Sequence, residues 1–420
     1  MKKMFLEAVS IVERLINDVT FMCRSRKKAT YFTRKNCTMG FRDLILFQIN
    51  FTKKSLQLEL DAFLKNTNGG GSITKQAYSE ARRKILPTAF IEMSDGIIDW
   101  YYNDHDDFKK FRDYRLSAID GSITQLPDTA RLRDAYGYAE GNGAPMARAK
   151  VAALYDLEND LILSSVIDRY KAGERELAKH LINDLRKKGL KNDLILFDRG
   201  YCGAWFYWYL EHSEVKYLMR AKEDTQIKAA QKPDQIINFT VSGKKNIKMR
   251  IVRFLLDSGE EEVLVTNLLD EDLSLDDFKK LYFRRWGIET KFNELKNRLE
   301  IQNFSGETVT AIKQDFYASI FLSNMAALAK HDANEAITER NKDKDLKYEY
   351  KVNTNILVGK LKDRLILMLL EPNPVKRTAL YQKIMEEISA NVVPIRPDRS
   401  CPRRKGARAT KHPRNHKRAF

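Results

Sequence analysis

The chain has 420 residues, 43% of them hydrophobic, with a formal net charge of +17. That length supports two or three domains with a sizeable core, and the hydrophobic share excludes a wholly disordered chain. The positive excess favours a polyanionic partner, because basic surfaces gain affinity by releasing counterions from phosphate backbones.

Four cysteines (Cys23, Cys37, Cys202, Cys401) form no C-x-x-C pair, and the six histidines show no zinc spacing. A reduced cytoplasmic compartment fits. The opening MKKMFLEAVSIVERLINDV is interrupted by Glu7, Glu13 and Arg14, and its apolar positions recur at helical period. No run approaches the roughly 18 apolar residues of a membrane span, so no membrane partner is expected.

Residues 1–110 read as a helical region expected to bind DNA. FRDLILFQINF and KKSLQLELDAFL are apolar at helical period, and NTNGGGS breaks the pattern at 66–72. Ser72 or Thr74 can cap the next helix, ITKQAYSEARRKIL, which Pro87 ends. Its Lys75, Gln76, Arg82 and Arg83 are the expected DNA contacts. A solvated basic face on a packing helix is the plainer alternative. The acidic run at Asp104, Asp106 and Asp107 reads as a solvated loop.

From about residue 112 the pattern turns to strands. YRLSAIDGSITQL, ARAKVAALYDLEND and LILSSVIDRY are three extended runs. An amphipathic helix follows (GERELAKHLINDLRKKGL), then a buried strand DLILF, a helix GAWFYWYLEHS and a strand VKYLMRAK. This order is that of a ribonuclease-H-like α/β core, with an antiparallel meander followed by parallel strands and helices on both faces. Residues 111–221 would form its first part. Residues 222–270 read as a strand-rich insertion. Residues 271–330 complete the core with one long helix, LSLDDFKKLYFRRWGIETKFNELKNRL, entered through a cap at Ser274. Residues 331–395 read as further helices, and 396–420 as a basic tail that associates with DNA.

Three acids stand out. Asp120 interrupts an apolar strand, where an unpartnered acid is costly, and Gly121 beside it permits close approach. Asp198 ends the apolar strand LILF, the place where α/β sheets gather ligands. In the expected topology these two strands are neighbours. Glu289 lies on the long helix, where Tyr282, Arg285 and Lys296 fall within about 60° of it on a wheel of roughly 100° per residue. That stripe puts a carboxylate beside two cations and a tyrosine. Phosphodiester chemistry needs an in-line oxygen attack with charge neutralised on both sides, which two divalent ions on hard oxygen ligands supply. Asp120, Asp198 and Glu289 are therefore the candidate catalytic and metal-holding residues. Each taken singly has a bland reading: a helix cap, a solvated acid, or an intrahelical pair between Arg285 and Glu289. Trp286, on the other flank, reads as packing rather than as a wedge between bases.

The pattern Tyr282-x2-Arg285-x3-Glu289-x6-Lys296 resembles the Y-R-E-K signature of bacterial DDE transposases of the insertion-sequence-4 type. Asp120-Gly121-Ser122 is similar to that family's first acidic motif and Asp198-Arg199-Gly200-Tyr201 to its second. Val265-Thr266-Asn267-Leu268 is similar to the family pattern ahead of the third. The resemblance spans about residues 40–410. It implies a cut-and-paste transposase that binds the terminal inverted repeats of its own element, pairs two ends as a homodimer, and nicks each end. The freed 3′-hydroxyl then attacks either the opposite strand, leaving a hairpin, or target DNA. It implies two Mg2+ ions held by Asp120, Asp198 and Glu289, with Mn2+ as the expected substitute, and DNA contacts from Tyr282, Arg285 and Lys296. The implied setting is the bacterial cytoplasm, on the nucleoid. The competing readings are a DNA-binding regulator that has lost catalysis and a stand-alone ribonuclease-H-like nuclease.

Overall fold

β-Branched and aromatic runs, punctuated by Gly, Asn and Asp, build the middle of the chain into one sheet. The computed structural model describes residues 3–34, 37–50, 54–67, 71–105, 107–140, 145–221, 224–243, 245–256, 259–362 and 364–396. Beyond Arg396 the expected basic tail lies outside the described residues, as does Asp106 of the acidic run. The sheet strands are β1 (Arg115–Gln125), β2 (Tyr138–Ala139), β3 (Met146–Asp156), β4 (Leu161–Arg169), β5 (Asp193–Phe197), β6 (Lys216–Arg220), β7 (Asp234–Ser242), β8 (Lys245–Leu255) and β9 (Glu261–Thr266).

The chain forms two compact units. One comprises the chain up to Ile98, Gln125–Arg148 and the chain from Glu294 onward; the other comprises Asp99–Thr124 and Ala149–Asn293. The second unit carries the long sheet, in the order β4-β3-β1-β5-β6-β9-β8-β7. β3 and β4 are an antiparallel pair. Leu157 N–H donates to the Leu116 carbonyl at 2.9 Å and Leu126 N–H to the Ala147 carbonyl at 3.1 Å, so β1 and β3 also run antiparallel. β5 then pairs parallel to β1, and β6 parallel to β5. This is the mixed α/β order expected from the sequence. The helices Glu174–Lys187 and Ala204–His212 make the two crossovers, as parallel neighbours require. The strands expected between 222 and 268 form, and they join the same sheet. β9 pairs antiparallel with β6, and β8 and β7 extend the edge.

Inside this sheet β1 and β5 are tied by a buried ion pair. Arg115 donates from Nε to Asp193 Oδ1 at 2.8 Å and from Nη2 to Oδ2 at 2.9 Å, both side chains being almost wholly buried. The guanidinium also lies 4.6 Å from the Tyr102 ring. A fork-to-fork pair in this place ties together the two strands that carry Asp120 within β1 and lead into Asp198 after β5.

The long helix expected to carry Glu289 is broken. It runs as Leu275–Phe283 and then as Trp286–Asn297. The first segment opens with the expected cap: Ser274 Oγ accepts the Asp277 N–H, and the Ser274 N–H is returned to Asp277. At the junction Arg285 N–H reaches the Tyr282 carbonyl at 3.0 Å and Gly287 N–H the Arg284 carbonyl at 2.9 Å. These bonds span three residues rather than four, so the turn is tighter than an α-helix. A wheel drawn through an unbroken helix therefore misplaces Tyr282 relative to Glu289.

The first unit is mostly helical. Helix Met4–Asn17 buries Phe5, Ala8, Val9, Val12 and Ile16, the stripe its periodicity announces. Its first two N–H groups, on Met4 and Phe5, donate to the buried carboxylate of Asp332, which also accepts from Tyr381 Oη at 2.9 Å. Asp332 sits in the 33-residue helix Val309–Asn341. Helix Lys75–Arg82 starts at Thr74, whose side chain caps Ala77 N–H as expected. Its Arg82 does not face solvent: it is 2% exposed and bonds Gln314, Ser305, Gln48 and Asp315.

Removing one partner of a buried ion pair leaves the other uncompensated. Arg115→Met is expected to cost about 3–5 kcal/mol of unfolding free energy in urea titrations, and Arg115→Met with Asp193→Leu to recover most of it. Equal stability of Arg115→Met and the wild type would remove the pair from any role in holding β1 against β5.

Candidate active site

The parallel register of β1 and β5 places Ile119 opposite Phe197. One step further come Asp120, still within β1, and Asp198, just past the end of β5, so the two acids follow one paired position side by side. Neighbouring strands lie about 4.8 Å apart. Burial along β1 is interrupted here: Leu116 to Ile119 are buried, Asp120, Gly121 and Ser122 are half-buried, and Thr124 is buried again. Asp120 Oδ1 accepts its neighbour's N–H, from Gly121, at 2.8 Å. Asp198 Oδ1 accepts from Arg199 N–H at 2.6 Å and opens the short helical turn Arg199–Tyr201.

Glu289 comes to the same place from the second helical segment. Burial, together with the negative charges of Glu289 and Asp198, pushes the Asp120 carboxyl up to about 6, against the opposing pull of Gly121 N–H and Arg285. Asp120 thus lies within electrostatic reach of both Asp198 and Glu289. Arg285 stands among them. It is 5% exposed and donates from Nη2 to Glu289 Oε1 at 2.9 Å. Burial works against its charge, but Tyr282, Glu289 and Asp198 more than hold it. Its Nε is buried without a hydrogen-bond partner among the described residues. Tyr282 is buried too; its hydroxyl meets the carbonyl of Phe197, the residue before Asp198, at 3.4 Å. Trp286, expected to pack, is 40% exposed, with its ring 4.9 Å from the Arg285 guanidinium.

Two further residues belong to this centre. Tyr201 is buried, and its hydroxyl also lacks a hydrogen-bond partner among the described residues. Burial first, then Asp120, Glu174 and Asp198, raise its pKa well above the usual phenol value. Glu174, at the start of its helix, leans over the two glycines of the acidic motifs. A Cβ at Gly200 would lie 3.2 Å from Glu174 Oε2, and one at Gly121 would lie 3.7 Å from Oε1. Tyr201 sits in the Asp198 run and was visible there. Nothing in the sequence marked Glu174, which reads as an ordinary first-turn acid.

The remaining DNA contacts expected from the sequence divide. Lys75, Gln76 and Arg83 are exposed, in the helical unit. Arg82 is interior, as described above. Lys296 lies seven residues after Glu289 on the same helix, in the stretch assigned to the helical unit. Among the described residues no group of three or more His, Cys, Asp or Glu is arranged so as to hold a metal ion. The chemistry of the centre nevertheless fits a hard dication. Asp120, Asp198 and Glu289 would offer only carboxylate oxygens, the hard donors such an ion prefers. No helix of the described residues is long and apolar enough to cross a membrane.

Residues 111–325, just over half of the chain, match the family model described as the transposase DDE domain. That span contains Asp120, Asp198 and Glu289. No curated protein matches the chain. Among solved structures, it is similar to a piggyBac transposase synaptic complex with hairpin DNA, determined by cryo-EM. The identity is 12%, over 92% of this chain and 84% of that one, with a TM-score of 0.44.

A carboxyl whose folded pKa is raised weakens the folded state above that pKa and ceases to do so once it is protonated. Without divalent ions, Asp120→Asn is therefore expected to gain about 1–3 kcal/mol of unfolding free energy above pH 6. The gain should fade as the pH falls from 6 toward 4, where the wild type carries the proton itself. Identical urea midpoints for the two proteins at pH 8 would contradict the crowding of charge at Asp120.

Proposed function

The chain belongs to the transposase DDE domain family, and from that membership we propose that it is a cut-and-paste transposase of a bacterial insertion sequence. In this reading the second unit carries a ribonuclease-H-like core that cuts and rejoins DNA. What supports it is the parallel register of β1 and β5, which sets Asp120 beside Asp198, together with Arg285, which bonds Glu289.

Asp120, Asp198 and Glu289 would hold two divalent ions, Mg2+ with Mn2+ as substitute, and Glu289 would exchange Arg285 for an ion. Bound there, the ions supply charge neutralisation at the attacking and leaving oxygens of an in-line displacement. The chain's own part is to place and grip the DNA. Arg285, released by Glu289 and carrying an unsatisfied Nε, is suited to a phosphate oxygen beside the cut bond. Tyr282 would back that arginine from its anchor on the Phe197 carbonyl. Lys296 would neutralise a flanking phosphate. Lys75, Gln76 and Arg83, exposed on the capped helix, would bind the element's terminal inverted repeats. Two copies would pair two ends, and the 3′-hydroxyl would attack the opposite strand to leave a hairpin, or target DNA directly.

The test is cleavage of a supercoiled plasmid carrying the element's ends, with Mg2+. The wild type should nick at the ends. Glu289→Gln should bind the same DNA and cut at least about a thousandfold more slowly, the scale of losing an essential group. Binding without cleavage by the wild type would favour a regulator, and release of free fragments without joining would favour a nuclease. Undiminished cutting by Glu289→Gln would remove Glu289 from the centre.

A further inference from the structure

Glu289 is carried by a helix, so its height over the two aspartates depends on what supports that helix from behind. Behind it is the turn between β3 and β4. Gly287 comes so close that a Cβ there would lie 2.6 Å from Leu157 Cδ2. Arg284 pairs with Glu158. Lys291, 4% exposed, donates from Nζ to Asp160 Oδ1 at 2.8 Å and lies 5.6 Å from the Tyr155 ring centre. Gly287 and Lys291 are four residues apart and share one face, whereas Glu289 is about 200° from Gly287, on the opposite face. The contacts with the turn and the functional carboxylate are thus on opposite sides of one cylinder.

The turn is built to be stiff. Asp156, fully buried, accepts from Tyr102 Oη at 2.5 Å, from the N–H of Glu158 at 2.8 Å, and from Asn159 N–H and Nδ2 at 3.0 and 2.8 Å. Asn159 in turn bonds Tyr101 and both backbone groups of Lys109. Asp160 holds φ at +59°, a left-handed conformation that Asp tolerates and most residues resist, and Tyr155 Oη donates to its side chain at 2.8 Å.

We propose that the β3–β4 turn, residues 157–160, is the element that positions Glu289, with Gly287, Lys291 and Asp160 as positioning residues that touch neither DNA nor metal. The proposal rests on the functional reading above. Gly287 lets the helix settle on Leu157, the Lys291–Asp160 pair fixes its rotation, and Glu289 is presented at one depth. Misplacing a reacting group by about 1 Å can cost about a hundredfold in rate, so a methyl group at Gly287 should act at a distance.

The test compares wild type, Gly287→Ala, Leu157→Ala, and the double variant Gly287→Ala/Leu157→Ala, which removes the obstructing δ-carbons. Cleavage rate, DNA-end affinity, thermal unfolding and Mn2+ binding by electron paramagnetic resonance are read together. Gly287→Ala should lower kcat about 10- to 100-fold, leave end affinity unchanged and weaken Mn2+ binding. The double variant should recover to within about threefold of Leu157→Ala in both readouts, a rescue that general destabilisation does not produce. Asp160→Asn, which keeps the left-handed turn and loses the charge facing Lys291, should repeat the Gly287→Ala signature and serves where that variant does not fold. A wild type that binds Mn2+ and cuts DNA, with Gly287→Ala and Asp160→Asn indistinguishable from it, overturns this inference alone. A wild type that does neither overturns the functional reading, and this inference with it.

Discussion

Two parallel strands, paired in register up to Ile119 and Phe197, set Asp120 beside Asp198. That constraint governs the rest of the centre. Burial first, and then the charges of Glu289 and Asp198, raise the Asp120 carboxyl above the usual range. The Arg115–Asp193 pair secures the same two strands from within. Arg285 and Glu289 then close over the strand ends, partly neutralising what the sheet has gathered.

Much of this was legible in the residues. An acid in the run LSAIDGSIT, where every neighbour pattern argues for burial, announces a special position, and so does an acid closing LILF. The strand order followed from the alternation of extended and helical runs, since parallel strands need crossovers and hairpins need breaks. What escaped was tertiary. Arg82 looks like its neighbours Arg83 and Lys84, but the helix face it occupies meets Gln314 and Asp315, more than two hundred residues away in sequence. The break after Phe283 is likewise hidden, because Arg284 and Arg285 are good helix formers. Its neighbour Gly287 was the available signal, as a glycine within a helical run marks close packing or a change of path.

The strands between residues 222 and 268 show how a sheet absorbs an addition. By continuing antiparallel from β6 through β9, β8 and β7, they lengthen the layer instead of interrupting it. The chain then returns to the strand ends with the helical pair that carries Tyr282, Arg285 and Glu289. A long excursion between the second and third acids therefore leaves the carboxylate geometry intact, because it leaves and re-enters at the far side of the sheet from β1.

The tie between the first helix and Asp332 has a consequence for how the protein comes into being. The two partners are separated by 328 positions in the chain. A ribosome working at about 5–20 residues per second makes the opening helix well before the carboxylate that receives its N-terminus exists. Until then that helix can pack against the early helices Val19–Ser25 and Phe41–Gln48 but not against Val309–Asn341 or Arg364–Leu370, and contacts that remote in sequence are slow to form. The N–H groups of Met4 and Phe5 meet their acceptor only once Asp332 has been made.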